Sequence, residues 1–321
     1  MSSRAPIGHL AIAGCDLYTN QGCKSFVCGD DLDAEFLFFM LRHRMRDIQA
    51  LGSGATFVEV SKSALEDFEI SFPGIDEQRR IAASLKAQLA EVETARQAAQ
   101  AQVREACLLR TKLIDAAFGQ MDDWQLIGRV AKVQSGYAFK SEDFSATGIR
   151  LLRNTNILPG TVYWEDTVCI EEAEAARYPG YVLRAGDILI SLDRPIISSG
   201  IKVARVSADD LPSLLLQRVG RFLLEPEQVD PDFLFAYLQS SRFIAAITGH
   251  DQSLGVPHIS PGQVEAVGFP RLSLDEQRSV VARLNAQLAE ADAIAQAAAA
   301  QLAEIERLPQ RLLAQAFAAA A

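Results

Sequence analysis

The run Arg153-Asn154-Thr155-Asn156 carries side chains that can read the edges of nucleotide bases. An arginine bonds guanine O6 and N7 as a pair, and an asparagine does the same for adenine N6 and N7. The same asparagines can instead cap turns, so the chemistry depends on which way the loop faces. A second stretch, Ser135-Gly136-Tyr137 with Lys140, offers close backbone approach at the glycine, an aromatic face and a cation suited to phosphate. Arg218, Gln252, Ser253 and His258 lie in or beside turn-rich segments, and loops on a rigid frame are where recognition residues collect. For His258 the competing role is a hydrogen-bonded surface histidine. Arg4 and Arg194 stand at matching places in two similar stretches, with pairing to a buried carboxylate such as Asp187 as the alternative. Lys24, Ser53 and Thr56 are further polar candidates early in the chain.

Other chemistries find less support. There is no GxxxxGK[ST] loop and no strand-linked GxGxxG, and Gly52-Ser53-Gly54 reads as a flexible turn. No carboxylate pair or nucleophile arrangement stands out, so a catalytic role is not expected. The five cysteines form no CxxC pair. Free thiols are the expectation, with a zinc site from His9, Cys15, Cys23 and Cys28 as the alternative. No metal is expected. No apolar run approaches the roughly 18 residues that span a bilayer, and Met1-Ser2-Ser3-Arg4-Ala5-Pro6 lacks a signal peptide's basic-then-apolar order. A cytoplasmic location without membrane association is expected. The 31 Lys and Arg against 41 Asp and Glu give a net charge of −10. Phosphate binding wants clustered cations, so local basic loops or a partner must supply them.

The elements that position these loops come from a repeat. Asp76-Glu77-Gln78-Arg79 returns as Asp275-Glu276-Gln277-Arg278, and 275 − 76 gives an offset of 199. The register holds to Phe118 and Phe317. Upstream, Phe36-Leu37-Phe38 matches Phe233-Leu234-Phe235, where 233 − 36 gives 197. A period this long is too long for a solenoid. It describes two copies of a globular segment followed by a long helix. The first helix carries a stripe of Ile81, Leu85, Leu89, Val92, Val103 and Leu113, and the second one of Val280, Leu284, Leu288, Leu302, Ile305 and Leu312, both interleaved with alanine. Such spacing over several heptads is coiled-coil patterning, and the two helices are expected to pair antiparallel. Pro309 is expected to kink or break the second helix.

Between the helices, strands are expected at 127–133, 161–170, 188–192, 201–206 and 219–224, with a helix over 232–248 that follows Pro231. The fold class is therefore α+β. It is expected to have a globular segment over 1–75, a spacer helix over 76–119, a complete domain over 120–274 and a second helix over 275–321.

At this point the chain resembles the specificity (S) subunit of type I restriction–modification systems. The residues that carry the resemblance are Phe72-Pro73 with Asp76-Glu77-Gln78-Arg79, and Phe269-Pro270 with Asp275-Glu276-Gln277-Arg278. They look like the family's junction between a target recognition domain and its spacer helix. Tyr181-Val182-Leu183-Arg184-Ala185-Gly186-Asp187-Ile188-Leu189, and Ser3-Arg4-Ala5-Pro6-Ile7-Gly8 with Asn20-Gln21-Gly22-Cys23-Lys24, resemble two further family stretches. The resemblance implies a non-catalytic reader of double-stranded DNA whose target recognition domains alternate with two paired helices. Each domain reads half of a split target, and the helices set the gap. Methyltransferase (M) subunits dock on the helices and a restriction (R) subunit can join them. No cofactor is expected on this chain, and S-adenosylmethionine belongs to the methyltransferase.

The first copy departs from the family. Ser3-Arg4-Ala5-Pro6-Ile7 aligns with Leu192-Asp193-Arg194-Pro195-Ile196, so a counterpart of 124–190 is expected to be missing ahead of it. Ile7, Ile12, Phe26 and Val27 are then expected to expose apolar faces, and a homodimer is one way to cover them. The alternative function is a degenerate S-like scaffold that binds partners through its coiled coil without reading DNA.

Overall fold

The computed structural model describes residues 1–53, 58–248 and 258–318. It divides into two compact units, Met1–Glu105 with Ala295–Ala321, and Ala106–Ile294. The chain is α+β, with globular segments alternating with two long helices, Ile75–Phe118 and Leu274–Ala318.

The long helices are glycine-free and rich in Ala, Gln, Glu, Leu and Arg, all strong helix formers. They pair antiparallel, and each unit shows it. In the first, Ile81 and Leu85 share a core with Leu313 and Phe317. In the second, Ile114 and Phe118 share one with Val281 and Leu284, and Arg110 Nη1 lies 3.2 Å from Asp292 Oδ2. Low numbers on one helix meet high numbers on the other. Ala99 and Ala298 are buried in the first unit and Ala106 and Ala291 in the second. A buried methyl adds little width, so the backbones can run close there.

The stripe differs from expectation by one position at three places. Leu113, Val280 and Leu312 are only half-buried, while Ile114, Val281 and Leu313 go to the interior. Leu89, Val92, Val103, Leu288, Leu302 and Ile305 are also half-buried. Pro309 does not break the second helix, which runs through it to Ala318. The missing N–H and the ring clash cost about 3 kcal/mol. Burial of Leu313 and Phe317 beyond it offsets that, at about 1.5–3 kcal/mol for each such side chain.

In the second unit a four-stranded antiparallel sheet runs in the order Val203–Arg205, Ile188–Ser191, Val219–Leu224, Ala131–Ser135. Its core joins Val133, Ile190, Val203 and Phe222 to the helix Pro231–Tyr237. A smaller sheet of Ser213–Leu215, Ile149–Leu152 and Cys169–Ile170 packs a second layer of apolar side chains around Leu151 and Leu214. The expected strand over 127–133 starts later, because Ile127–Arg129 forms a 3₁₀ turn. The helix expected over 232–248 is two, Pro231–Tyr237 and Ser241–Thr248. Buried Ser240 makes the break: its hydroxyl donates to Tyr237 O and accepts from Phe243 N–H. Asp115 then takes both the N–H and the hydroxyl of Ser241, each at 2.7 Å.

In the first unit the helix Ala34–His43 packs Phe36, Phe39 and Met40 into the core with Ile81 and Leu85. Residues 1–33 are held by short bridges, Ser2 with Cys23 and Arg4 with Glu59. Ile12, Phe26 and Val27 are exposed and Ile7 is half-buried.

Candidate nucleic-acid interface

The site is built where strands of the second unit end. Leu192 follows the strand Ile188–Ser191 and is buried. Its N–H donates to Arg218 O at 2.8 Å, and its carbonyl accepts Ile259 N–H at 3.0 Å. That frame brings three segments together: Asp193 and Arg194 after Leu192, Arg218 before Val219, and His258 before Ile259.

Arg194 has φ 45° and Arg218 has φ 72°, and both side chains are exposed. These are the two non-glycine residues with positive φ among those described. Left-handed backbone costs an ordinary side chain about 1–2 kcal/mol, and such strain collects at functional sites. Arg218 Nη1 lies 3.0 Å from His258 Nδ1 and 3.1 Å from its Nε2. Near-equal distances to both ring nitrogens place the guanidinium nitrogen over the ring face, since in the plane it could meet only one of them. Arg194 makes no hydrogen bond or ion pair among the described residues.

Asp193 lies against His258. Its Oδ1 is 3.2 Å from His258 Nδ1, an ion-pair distance, yet the geometry is not that of a hydrogen bond and the atom has no other partner. Its Oδ2 accepts a long hydrogen bond from Asn154 Nδ2, at 3.4 Å. Lys202 is buried behind it, and burial holds its ammonium below the usual lysine range against the opposing pull of Asp193. Asp193 does not stand out in the sequence, because Asn154 and His258 lie far from it along the chain.

The Ser135-Gly136-Tyr137 stretch runs alongside. Gly136 N–H donates to Val219 O, Tyr137 N–H to Leu215 O, and Tyr137 O accepts from Gln217 N–H. The expected reason for the glycine needs correction. A Cβ at Gly136 would stand 2.2 Å from Leu216 O, so the close approach it permits is to the protein's own backbone. Ser135 and Tyr137 are exposed. Tyr137 packs on Tyr178 at 4.4 Å between ring centroids and on Phe139 at 4.9 Å. The Tyr137 hydroxyl, then burial and Glu174, push the Tyr178 phenol up to about 12. Lys140 is exposed and pairs with Glu142 at 3.1 Å.

Two candidates from the Arg153–Asn156 turn face inward. Asn156 is buried: its Nδ2 donates to the carbonyls of Tyr163 and Asp166, and its Oδ1 accepts Arg153 N–H. It is the turn cap, with no group left for a base. Arg153 donates to Asp166 O and pairs with Asp166 Oδ2, both at 2.6 Å, its side chain mostly covered. Asp187 pairs with Arg221 at 3.2 Å and not with Arg194.

Arg4, Lys24 and Ser53 gather in the first unit. Arg4 Nε lies 3.0 Å from Glu59 Oε2 and Lys24 Nζ 3.2 Å from Oε1, while Ser53 and Glu59 exchange backbone hydrogen bonds. Arg4, then Lys24, hold the Glu59 carboxyl below the usual range. The frame repeats the second unit's: Ser3 N–H donates to Gly22 O, and Val60 N–H to Ser3 O. Arg4 bridges Glu59 as Asp193 bridges His258. Arg4 therefore corresponds to Asp193, one residue short of the expected Arg194, and the charge pair is reversed between the copies. Thr56, Gln252 and Ser253 lie outside the described residues.

Among the described residues no cluster of three His, Cys, Asp or Glu side chains fits a metal ion. No helix among the described residues is long and apolar enough to cross a membrane.

Residues 1–101 match the family described as the type I restriction modification DNA specificity domain. The chain is 44% identical over 163 residues to the Escherichia coli type I restriction enzyme EcoAI specificity subunit, a match covering 51% of this chain and 28% of that one. It is 28% identical over 271 residues to the Methanocaldococcus jannaschii MjaVIII specificity subunit, covering 79% and 63%. The chain thus spans less than two thirds of either relative. In fold it is similar to a chain of a type I R-M system solved to explain complex assembly, with a TM-score of 0.70, 21% identity and coverage of 90% and 72%. The HsdS subunit of Thermoanaerobacter tengcongensis gives 0.58, 21%, 90% and 71%. With its matched domain, relatives across most of its length and two long antiparallel helices, this chain is similar to the specificity subunits of type I restriction–modification systems.

Proposed function

We infer that this chain is the non-catalytic DNA-recognition subunit of a type I methyltransferase or restriction complex. The observation that carries the reading is the pair of exposed arginines, Arg194 and Arg218, held in left-handed backbone at adjoining strand ends with His258 and Asn154 beside them. Strain of this kind collects at functional sites, and both arginine side chains are exposed. Arg194 and Arg218 contact DNA, Tyr137 and Lys140 flank them, and Arg4 with Lys24 forms the lesser site of the first unit. A net charge of −10 makes a shared interface the natural arrangement, with the methyltransferase subunits supplying further phosphate contacts. They dock on the paired helices and bring S-adenosylmethionine, while a restriction subunit completes the larger assembly.

The test is reconstitution with the methyltransferase and methylation of genomic DNA. Arg194→Ala and Arg218→Ala are expected to relax or abolish the preferred target, by about 1–3 kcal/mol for each lost paired base contact. Unchanged target and rate in both variants would show that this corner faces away from DNA.

A further inference from the structure

Gln78 and Gln277 occupy the same place in the two copies, and both are fully buried. Gln78 Nε2 donates to the carbonyls of Asp31 and Pro73, each at 2.8 Å, and its Oε1 accepts Asp33 N–H at 2.9 Å. Gln277 Nε2 donates to the carbonyls of Gln228 and Leu272, each at 2.9 Å, and its Oε1 accepts Asp230 N–H at 2.9 Å. Only an amide of this length offers two donors and an acceptor here. A carboxylate would face two carbonyls, and a thioether would strand three polar groups.

What the amide holds is as telling as how it holds it. Asp33 caps the helix Ala34–His43 by accepting Phe36 N–H, and Asp230 caps Pro231–Tyr237 by accepting Phe233 N–H. One side chain in the first turn of each long helix thus grips the cap of a helix in the globular part of the same unit. A fully satisfied buried polar network specifies one geometry where apolar packing admits several.

We propose that Gln78 and Gln277 are positioning residues for target spacing. Each fixes the angle at which its recognition domain leaves its long helix, and with it the interval between DNA half-sites that the chain accepts. The inference rests on the DNA-reading function proposed above. One base-pair step is about 3.4 Å and about 34° of rotation, so a joint that loosens loses the spacing before it loses the sequence.

The experiment uses the full chain reconstituted with its methyltransferase, on duplexes carrying the target read from methylated genomic DNA. The spacer is lengthened or shortened by a single base pair. Gln78→Met and Gln277→Met are expected to keep the half-site preference while discrimination between the correct and the altered spacer falls about tenfold. Arg79→Gln and Arg278→Gln sit on the exposed rim of the same joints, 4.0 Å from Asp33 and 3.8 Å from Asp230. They are expected to shift the same ratio by a smaller factor, and they decide the matter if the Met variants do not fold. An unchanged spacer profile in folded variants overturns the proposal, as does equal loss of spacer and half-site preference. A wild-type chain with no half-site preference overturns the DNA-reading function and this inference together.

Discussion

Phe36 packs edge-on against Phe317, with ring centroids 5.5 Å apart and an interplanar angle of 70°. In the second unit Phe118 meets Phe233 in the same way, at 5.3 Å and 66°. Phe36 and Phe233 are counterparts, as are Phe118 and Phe317. Each globular segment therefore closes on the helix end that belongs to the other copy.

Replacing Phe317 tests that exchange. Phe317→Ala removes a buried ring and is expected to destabilise the first unit by about 3–5 kcal/mol. Hydrogen exchange should show protection lost over Ala34–His43 and retained over Pro231–Tyr237. Loss confined to the latter would contradict the packing described.

The antiparallel register is tested by chemistry on the helices. With Cys15 and Cys107, both exposed, first replaced by serine, Arg110→Cys and Asp292→Cys are expected to be joined by a short bismaleimide within one chain at low protein concentration. Crosslinks formed solely between chains would point to exchange of the helices between two copies.

Arg218 offers a test in which stability and function move in opposite directions. Arg218→Gly relieves positive φ and is expected to raise unfolding stability by about 1 kcal/mol, the strain relief less glycine's added entropy. The same change should weaken DNA binding in the reconstituted complex. A variant that is less stable and binds DNA normally would mean that the arginine is there for packing.

The first unit carries a defined acid response. Arg4 and Lys24 hold the Glu59 carboxyl down, so its folded proton affinity is lower than its unfolded one. Its contribution to stability is fully present above the ordinary glutamate value of 4.5 and is lost as pH falls through the lower folded value. Acid titration of wild type and Glu59→Gln is expected to converge below that window. A constant difference between them across it would remove Glu59 from the account.

The long helices were legible because propensity and a long stripe act locally and the repeat states them twice. Their rotation was not, which is why Leu113, Val280 and Leu312 were favoured over Ile114, Val281 and Leu313. A stripe diluted by alanine leaves the phase open to one residue, and only the aromatic cores at the helix ends fix it. Site residues fared less evenly. Arg194, Arg218 and His258 are polar residues of turn-rich segments that the frame at Leu192 brings to one corner, but nothing local says that Asp166 will take Arg153 or that Asn156 will turn inward. Asp193 and Lys202 needed the sheet to bring them together.

The exchanged aromatic pairs make the end of the second long helix a structural element of the first globular segment. Leu313 and Phe317 complete a core whose other members include Phe36, Phe39 and Met40. Loss of the turns that carry Leu313 and Phe317 would therefore be felt at Phe36, Phe39 and Met40, while the sheet of Ala106–Ile294 keeps its own core. During synthesis the core around Phe36 must wait, unfinished, until Phe317 has been added.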